Sequence, residues 1–136
     1  MQLRWTLPVL AMAAIPAWAQ GVLKIGEINS YKAMPAFLEP YKKGMDLAVQ
    51  QINANGGLLG KKVVLVTRDD NGNPGDAIRA AEELYAREKI DVLTGSFRSH
   101  VGMALTDYAG QKKRFFLASE TLTDKVVWQN GNRYTY

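Results

Sequence analysis

The chain of 136 residues has no cysteine and one histidine. The first absence excludes disulfides and any lipid anchor carried on a cysteine. The second excludes a metal site built from several histidines. His100 directly follows Ser99, so on a helix the two side chains diverge by about 100° and form no nucleophile–base pair. No apolar run reaches the ~20 residues that a membrane-spanning helix needs. Neither G-x-x-x-x-G-K nor G-x-G-x-x-G occurs, so the phosphate-cradling loops are missing. Asp69-x-Asn71-x-Asn73 starts like a calcium loop, but Pro74 stands where that loop needs Gly and Ala80 where it needs Glu. The net charge of +4 comes from short groups, Lys42-Lys43, Lys61-Lys62 and Lys112-Lys113-Arg114, scattered between elements. Without a basic stripe or aromatic support this reads as solvated surface and not as a nucleic-acid interface. No residue set points to a metal or other cofactor.

The first 19 residues read as a secretory leader. Arg4 gives a positive start, Leu7 to Ile15 a short apolar core, and Ala17-Trp18-Ala19 a small-x-small cleavage site before Gln20. The remainder, residues 20–136, is enough for one small domain.

Hydrophobic spacing gives the organisation of that domain. Leu23-Lys24-Ile25-Gly26-Glu27-Ile28 alternates apolar and polar, as a strand does. Asn29 to Pro40 reads as a loop broken by Pro35 and Pro40. Met45, Ala48, Val49 and Ile52 then fall on one helix stripe. The run Ile52-Asn53-Ala54-Asn55-Gly56-Gly57-Leu58-Leu59-Gly60 stops that helix, with Asn55 or Gly56 in the left-handed conformation. Leu58 and Leu59 are expected to pack back under the helix. Val63 to Val66 is a β-branched run suited to a buried strand. Asn73 is placed to cap the next helix, Pro74 to open it and Asp76 to complement its positive end, while Ala77, Ala80, Ala81 and Leu84 form its inner stripe. Ile90 to Thr94 is a third strand. Ser99 to Gln111 is a third helix with Met103 and Ala104 inward, and Phe115 to Ala118 a fourth strand. The tail at Arg133-Tyr134-Thr135-Tyr136 reads as the start of another strand, as though the domain continued. Strands alternating with helices predict an α/β fold: a doubly wound open parallel sheet with right-handed crossovers and helices on both faces; in a 2-1-3-4 order the strand order reverses between the first and third strands.

Such sheets bind ligands outside the carboxyl ends of their strands, where the strand order reverses. The loop after the third strand is small and hydroxylic and opens a helix, whose free N–H groups and dipole favour an anion. Two readings of Ser99 are open here: an extra donor to that anion, or a helix cap bonded to its own backbone. Asp69 and Asp70 read as a solvated turn and as acids at a helix start.

These pieces together resemble a known family. Lys24-Ile25-Gly26, Gly44-x-x-Leu47-Ala48, Ile52-Asn53-Ala54-Asn55-Gly56-Gly57-x-x-Gly60, Asp69-Asp70-x-x-x-Pro74 and Gly95-x-x-x-Ser99 are similar in kind and order to the N-terminal lobe of type I periplasmic binding proteins of the leucine/isoleucine/valine-binding kind. The resemblance implies a non-catalytic solute-binding component of an ABC importer, working in the periplasm and docking on a membrane permease. It holds its ligand between two lobes, and the second lobe is absent from this chain. It implies that Ser99 holds a ligand carboxylate, that Thr121 and Thr123 hold ammonium and carboxylate groups, that Phe37 covers the ligand and that Phe97 adds an apolar contact. Arg98, His100 and Glu120, and the long loop between residues 30 and 41, depart from the amino-acid binders. Aromatic or other organic carboxylates are therefore the alternative ligands, and a receptor's ligand-sensing module is the alternative role.

Overall fold

Eight residues, Val22–Asn29, form β1, the first strand in the chain and an inner strand of the sheet. β1 pairs in parallel with β2 (Lys62–Asp69) from Val22↔Lys62 to Asn29↔Asp69. Its other edge takes β3 (Val92–Gly95), from Ile25↔Val92 to Ile28↔Gly95. β4 (Phe116–Ala118) adds to β3, giving the expected order β2-β1-β3-β4. The computed structural model describes residues 21–136, so the leader read over residues 1–19 lies outside the described residues. The tail extends the sheet as expected: Phe116 donates its N–H to the Tyr134 carbonyl and Ala118 to the Tyr136 carbonyl, each at 2.8 Å.

Three helices make the crossovers: α1 (Pro35–Ala54), α2 (Pro74–Glu83, continued by a π-helical turn at Leu84–Glu88) and α3 (Ser99–Lys112). The chain moves one way from β1 to β2 and the other way from β2 to β3 and β4. Right-handed crossovers therefore put α1 on one face and α2 with α3 on the other. The core lies on the α2–α3 face, where Ile28, Ala77, Ala81, Leu84, Leu93, Val101, Leu105, Ala109 and Phe116 are buried together. Gly26 faces the same way, and a Cβ there would stand 2.5 Å from Ile90. Successive strand residues point to opposite faces, so Glu27 and Asn29 face the α1 side.

Several local expectations change. Residues 35–40 are helical, not loop: Pro35 opens α1 and Pro40 lies inside it. An interior proline costs roughly 3 kcal/mol, and the anchoring of Leu38, wholly buried in that first stretch, offsets part of it. Of the predicted α1 stripe, Met45 and Val49 are half-buried while Ala48 and Ile52 are exposed; among the described residues nothing covers that part of the helix. In α3 the buried positions are Val101, Gly102, Leu105, Thr106, Tyr108 and Ala109, with Met103 and Ala104 only half-buried at the edge of that face.

The glycine run does stop α1, with Gly56 at φ 94° and Asn55 on the ordinary side. Leu58 and Leu59 do not pack under the helix; Leu59 is 94% exposed. Leu58 and Lys61 exchange both backbone hydrogen bonds at 2.9 Å, which makes Leu59 and Gly60 the tip of a tight turn, both at positive φ. Only glycine fits at position 57, because a Cβ there would lie 2.1 Å from the Lys61 carbonyl oxygen. Asn53 ties this connection to the sheet, donating to the Val63 carbonyl and accepting the Val63 N–H, each at 2.8 Å.

Candidate functional site

Four loops leave the carboxyl ends of the strands side by side, and Asn29 joins three of them. Its side-chain oxygen accepts the N–H of Phe97 at 2.8 Å and that of Ser30 at 3.1 Å, while its amide donates to Glu120. Asn29 is wholly buried at the end of β1, so these bonds are shielded from water and correspondingly strong. Gly95 makes the approach of the β3 loop possible: at φ 125°, a Cβ would sit 2.0 Å from the Ile28 carbonyl oxygen.

The β3 and β4 loops are laced together. Ser99 donates its hydroxyl to the Leu122 carbonyl at 2.9 Å, Thr121 donates to the Ser96 carbonyl at 2.9 Å, and Leu122 donates its N–H to the Phe97 carbonyl at 3.2 Å. Thr121 also lies on Gly102, in the first turn of α3, where a Cβ would come within 2.3 Å of it. Across the opening, the rings of Phe37 and Phe97 stack with centroids 5.6 Å apart and planes at 24°. Four of the five residues singled out by sequence, Phe37, Phe97, Ser99 and Thr121, therefore meet directly or through a shared neighbour. Thr123 follows Leu122 and caps a short 3-10 turn (Asp124–Val126), accepting the Lys125 N–H.

Ser99 is the first residue of α3, not its cap. Arg98 holds the cap position and makes no side-chain cap bond. The first N–H groups bonded within the helix start belong to Val101 and Gly102, both donating to the Arg98 carbonyl. The N–H groups of Ser99 and His100 precede that ladder, as the first turn of any helix requires. His100 and Arg98 turn away to the β2 loop: the imidazole Nε2 lies 3.1 Å from the Gly72 carbonyl oxygen, and the Arg98 guanidinium packs on Gly72.

A polar wall backs the opening on the α1 side, and sequence reasoning missed most of it. Glu27 is wholly buried on β1. It accepts the Tyr31 hydroxyl at 2.8 Å through Oε2, and its Oε1 has no protein partner. Burial pushes its carboxyl up to about 7, against the lowering effect of the Tyr31 bond. Burial also raises Glu120, opposed by the Asn29 amide. The hydroxyls of Tyr41 and Ser119 are 2.9 Å apart, and burial moves Tyr41 up to about 12. Asp70 is not a solvated turn acid but fully buried, accepting the Ser30 hydroxyl at 2.6 Å and the Gly72 N–H at 2.7 Å. Burial raises it too. Asp69, half-buried, is the turn acid, accepting N–H groups of Lys32 and Asn71. Asn73 caps α2 as expected, accepting from Gly75 and Asp76. Among the described residues no three His, Asp or Glu side chains group to hold a metal ion. The signal for Glu27 was present, an acid in the middle of an inner strand, but alternation alone does not tell a solvated face from a covered polar one.

The fold is a doubly wound open parallel sheet whose strand-end loops are tied together on a polar backing. The chain belongs to the periplasmic binding protein family, whose model matches residues 23–136. Leu/Ile/Val-binding protein homolog 7 of Brucella abortus is 36% identical over 94 residues, covering 68% of this chain and 23% of that protein. Leu/Ile/Val-binding protein BraC3 of Rhizobium johnstonii is 32% identical over 103 residues, covering 75% of this chain and 28% of that protein. The chain thus spans about a quarter of the length of the curated relatives it matches. Among solved structures, the branched-chain amino acid binding protein LivJ of Streptococcus pneumoniae, in complex with isoleucine, superposes with a TM-score of 0.75 at 24% identity over 85% of this chain and 33% of its own. A solute-binding protein of R. palustris in complex with benzoate does so with a TM-score of 0.75 at 26% identity, over 85% of this chain and 32% of its own. No helix among the described residues is long and apolar enough to cross a membrane.

Proposed function

We propose that this chain is the N-terminal lobe of the substrate-binding component of an ABC importer, working in the periplasm after removal of a leader over residues 1–19. It captures a small carboxylate, with branched-chain or related amino acids as its class, and performs no chemistry. The lacing of residues 119–123 onto the start of α3 carries this reading. In this reading Ser99, Thr121 and Thr123 supply hydroxyls near the N–H groups that the start of α3 leaves unbonded, with the Ser99 hydroxyl turning from the Leu122 carbonyl to the ligand. An anion there gains charge-assisted hydrogen bonds and the helix dipole. A second lobe supplied by the rest of the protein closes over this surface, excludes water and strengthens those bonds. The closed form then docks on a membrane permease.

Aromatic acids are the second reading, favoured by the Phe37–Phe97 stack at the opening and by the benzoate bound in the R. palustris neighbour. Both readings use the same carboxylate site. Calorimetric titration of the full-length protein with L-leucine and with benzoate tests it. Ser99→Ala is expected to lower affinity for whichever ligand binds by about 1–3 kcal/mol, as for a lost hydrogen bond to a charged group. Unchanged affinity removes Ser99 from the site.

A further inference from the structure

The connections that return from a helix to a strand are basic, and in a parallel sheet these returns all lie at one end. Lys61 and Lys62 lead into β2, Lys89 precedes β3, and Lys112, Lys113 and Arg114 precede β4. Along the chain these groups read as scattered surface. Parallel pairing gathers them at the amino end of the sheet, across about 15 Å set by the strand spacing. All six are exposed. Among the described residues Lys112 alone of the six forms an ion pair, with Glu82 at 3.5 Å. Arg114 lies over the Tyr85 ring at 4.8 Å. Two acids of this end are already engaged: Glu88 holds Arg68 at 2.8 Å, and Asp91 accepts the Lys24 N–H at 2.8 Å. Neighbouring cations lie about one to two Debye lengths apart, so their fields add outside the protein. The same end carries an apolar point. Leu58 and Lys61 exchange both backbone hydrogen bonds, which leaves Leu59 at the tip of the turn, 94% exposed and at φ 51°. Asn53 pins the turn to Val63, so the leucine is held out and does not fold back. A bulky apolar side chain kept in water in the left-handed region is unfavourable on both counts, and such an outlier motivates a role outside folding. Phe115, next to Arg114, is exposed as well.

We infer that the amino end of this sheet docks on the surface of an anionic phospholipid bilayer, with Leu59 entering the interface and Lys61, Lys62, Lys89, Lys113 and Arg114 facing the phosphates. The leucine selects lipid over an acidic polypeptide, because only the bilayer offers an apolar layer directly beneath its anionic surface. Each cation near such a surface contributes about 5-fold in affinity. β1 also begins at this end, with the Lys61 side chain lying over Gly21, so in the leader reading a leader still lodged in the membrane holds this pole against the bilayer. The strand-end loops lie roughly 25 Å away, the length of β1, and the docked lobe keeps its opening free. The inference holds whatever ligand that opening takes.

The test uses the full-length protein and co-sedimentation with vesicles of phosphatidylglycerol and phosphatidylethanolamine, beside vesicles of phosphatidylcholine alone. Soluble polyglutamate serves as competitor, and urea unfolding checks that each variant is folded. The wild type is expected to bind the anionic vesicles, to leave them as salt rises, and to ignore phosphatidylcholine. Lys61→Gln combined with Lys62→Gln is expected to weaken vesicle binding by about 10-fold or more. Leu59→Asn is expected to weaken it by about 5-fold or more, with the salt dependence kept. Absence of wild-type binding to the anionic vesicles at low salt overturns the inference. So does equal binding to both kinds of vesicle, or equal binding by the wild type and the double lysine variant. Vesicle binding that Leu59→Asn leaves unchanged and polyglutamate displaces overturns the bilayer in favour of an acidic polypeptide.

Discussion

The side-chain oxygen of Asn29 accepts the backbone N–H of Phe97 at 2.8 Å, joining the end of the first strand to the loop after the third. The amide nitrogen of the same side chain reaches Glu120 beyond the fourth strand. One buried side chain thus sets the spacing of the loops at the carboxyl ends of the strands.

Asn29→Ala is expected to strand the buried N–H of Phe97 and to cost about 1–3 kcal/mol of stability, the usual penalty for an unsatisfied buried donor. Asn29→Asp keeps both acceptor bonds but places a carboxylate against Glu120, so its deficit grows as pH rises above the carboxylate range. Urea midpoints of the full-length protein at pH 5 and pH 8 check both. Equal deficits for Asn29→Asp at the two pH values contradict the Glu120 contact.

Glu27 makes stability depend on pH. Its folded-state proton affinity, about 7 against an ordinary 4.5, lets the folded protein keep a proton that the unfolded chain has already released between those values. Its contribution is fully present below about 4.5 and is lost as pH rises to about 7. The swing is on the order of 1–3 kcal/mol for a shift of this kind. Glu27→Gln removes it, so urea unfolding of the variant falls less steeply from pH 5 to pH 8 than that of the wild type. Identical slopes exclude Glu27 as the cause.

Gly102→Ala drives a methyl group into Thr121, with less than 2.5 Å available. Overpacking of this size costs roughly 1–3 kcal/mol, and here it also moves the loop that carries Thr121 and Thr123. Ligand affinity and stability are expected to fall together. Adding Thr121→Ala, which deletes both close atoms, Cγ2 and Oγ1, is expected to restore part of the stability. A double-mutant cycle read by calorimetry measures the coupling.

Leu59→Asn changes only the exposed turn. Leu59 adopts φ 51° next to Gly60 at φ 73°. A bulky residue in the left-handed region costs about 1–2 kcal/mol, and Asn-Gly is the favoured pair for such a turn. The variant is expected to gain about 1 kcal/mol in thermal unfolding with ligand affinity unchanged.

The sequence of strands and helices was legible because it depends on period and alternation, and the alanine stripe of α2 was legible in full. What escaped depended on long-range contacts. Pro40 reads as a breaker until the burial of Leu38 is known. Leu58 and Leu59 read as buried until their neighbours are seen to close a two-residue turn. Asp70 reads as a solvated acid because nothing in its own segment reveals Ser30, 40 residues earlier. Around the site, sequence pointed to hydroxyls and aromatics on the loops, and the structure brings Phe37, Phe97, Ser99 and Thr121 together. The buried polar wall of Glu27, Asn29 and Tyr31 escaped because strand alternation assigns a face without saying what lies over it.

The pairing of β1 with β3 also governs how the protein comes to fold. The first strand occupies an inner position, yet Ile25 meets Val92, 67 residues further along the chain. Loop-closure entropy is spent before that contact returns anything, which slows parallel sheets in general. Until Val92–Gly95 arrives, one edge of β1 stays unpaired even if β2 has docked. The Asn29–Phe97 contact between the loops at the strand ends therefore waits on the long-range pairing of β1 with β3.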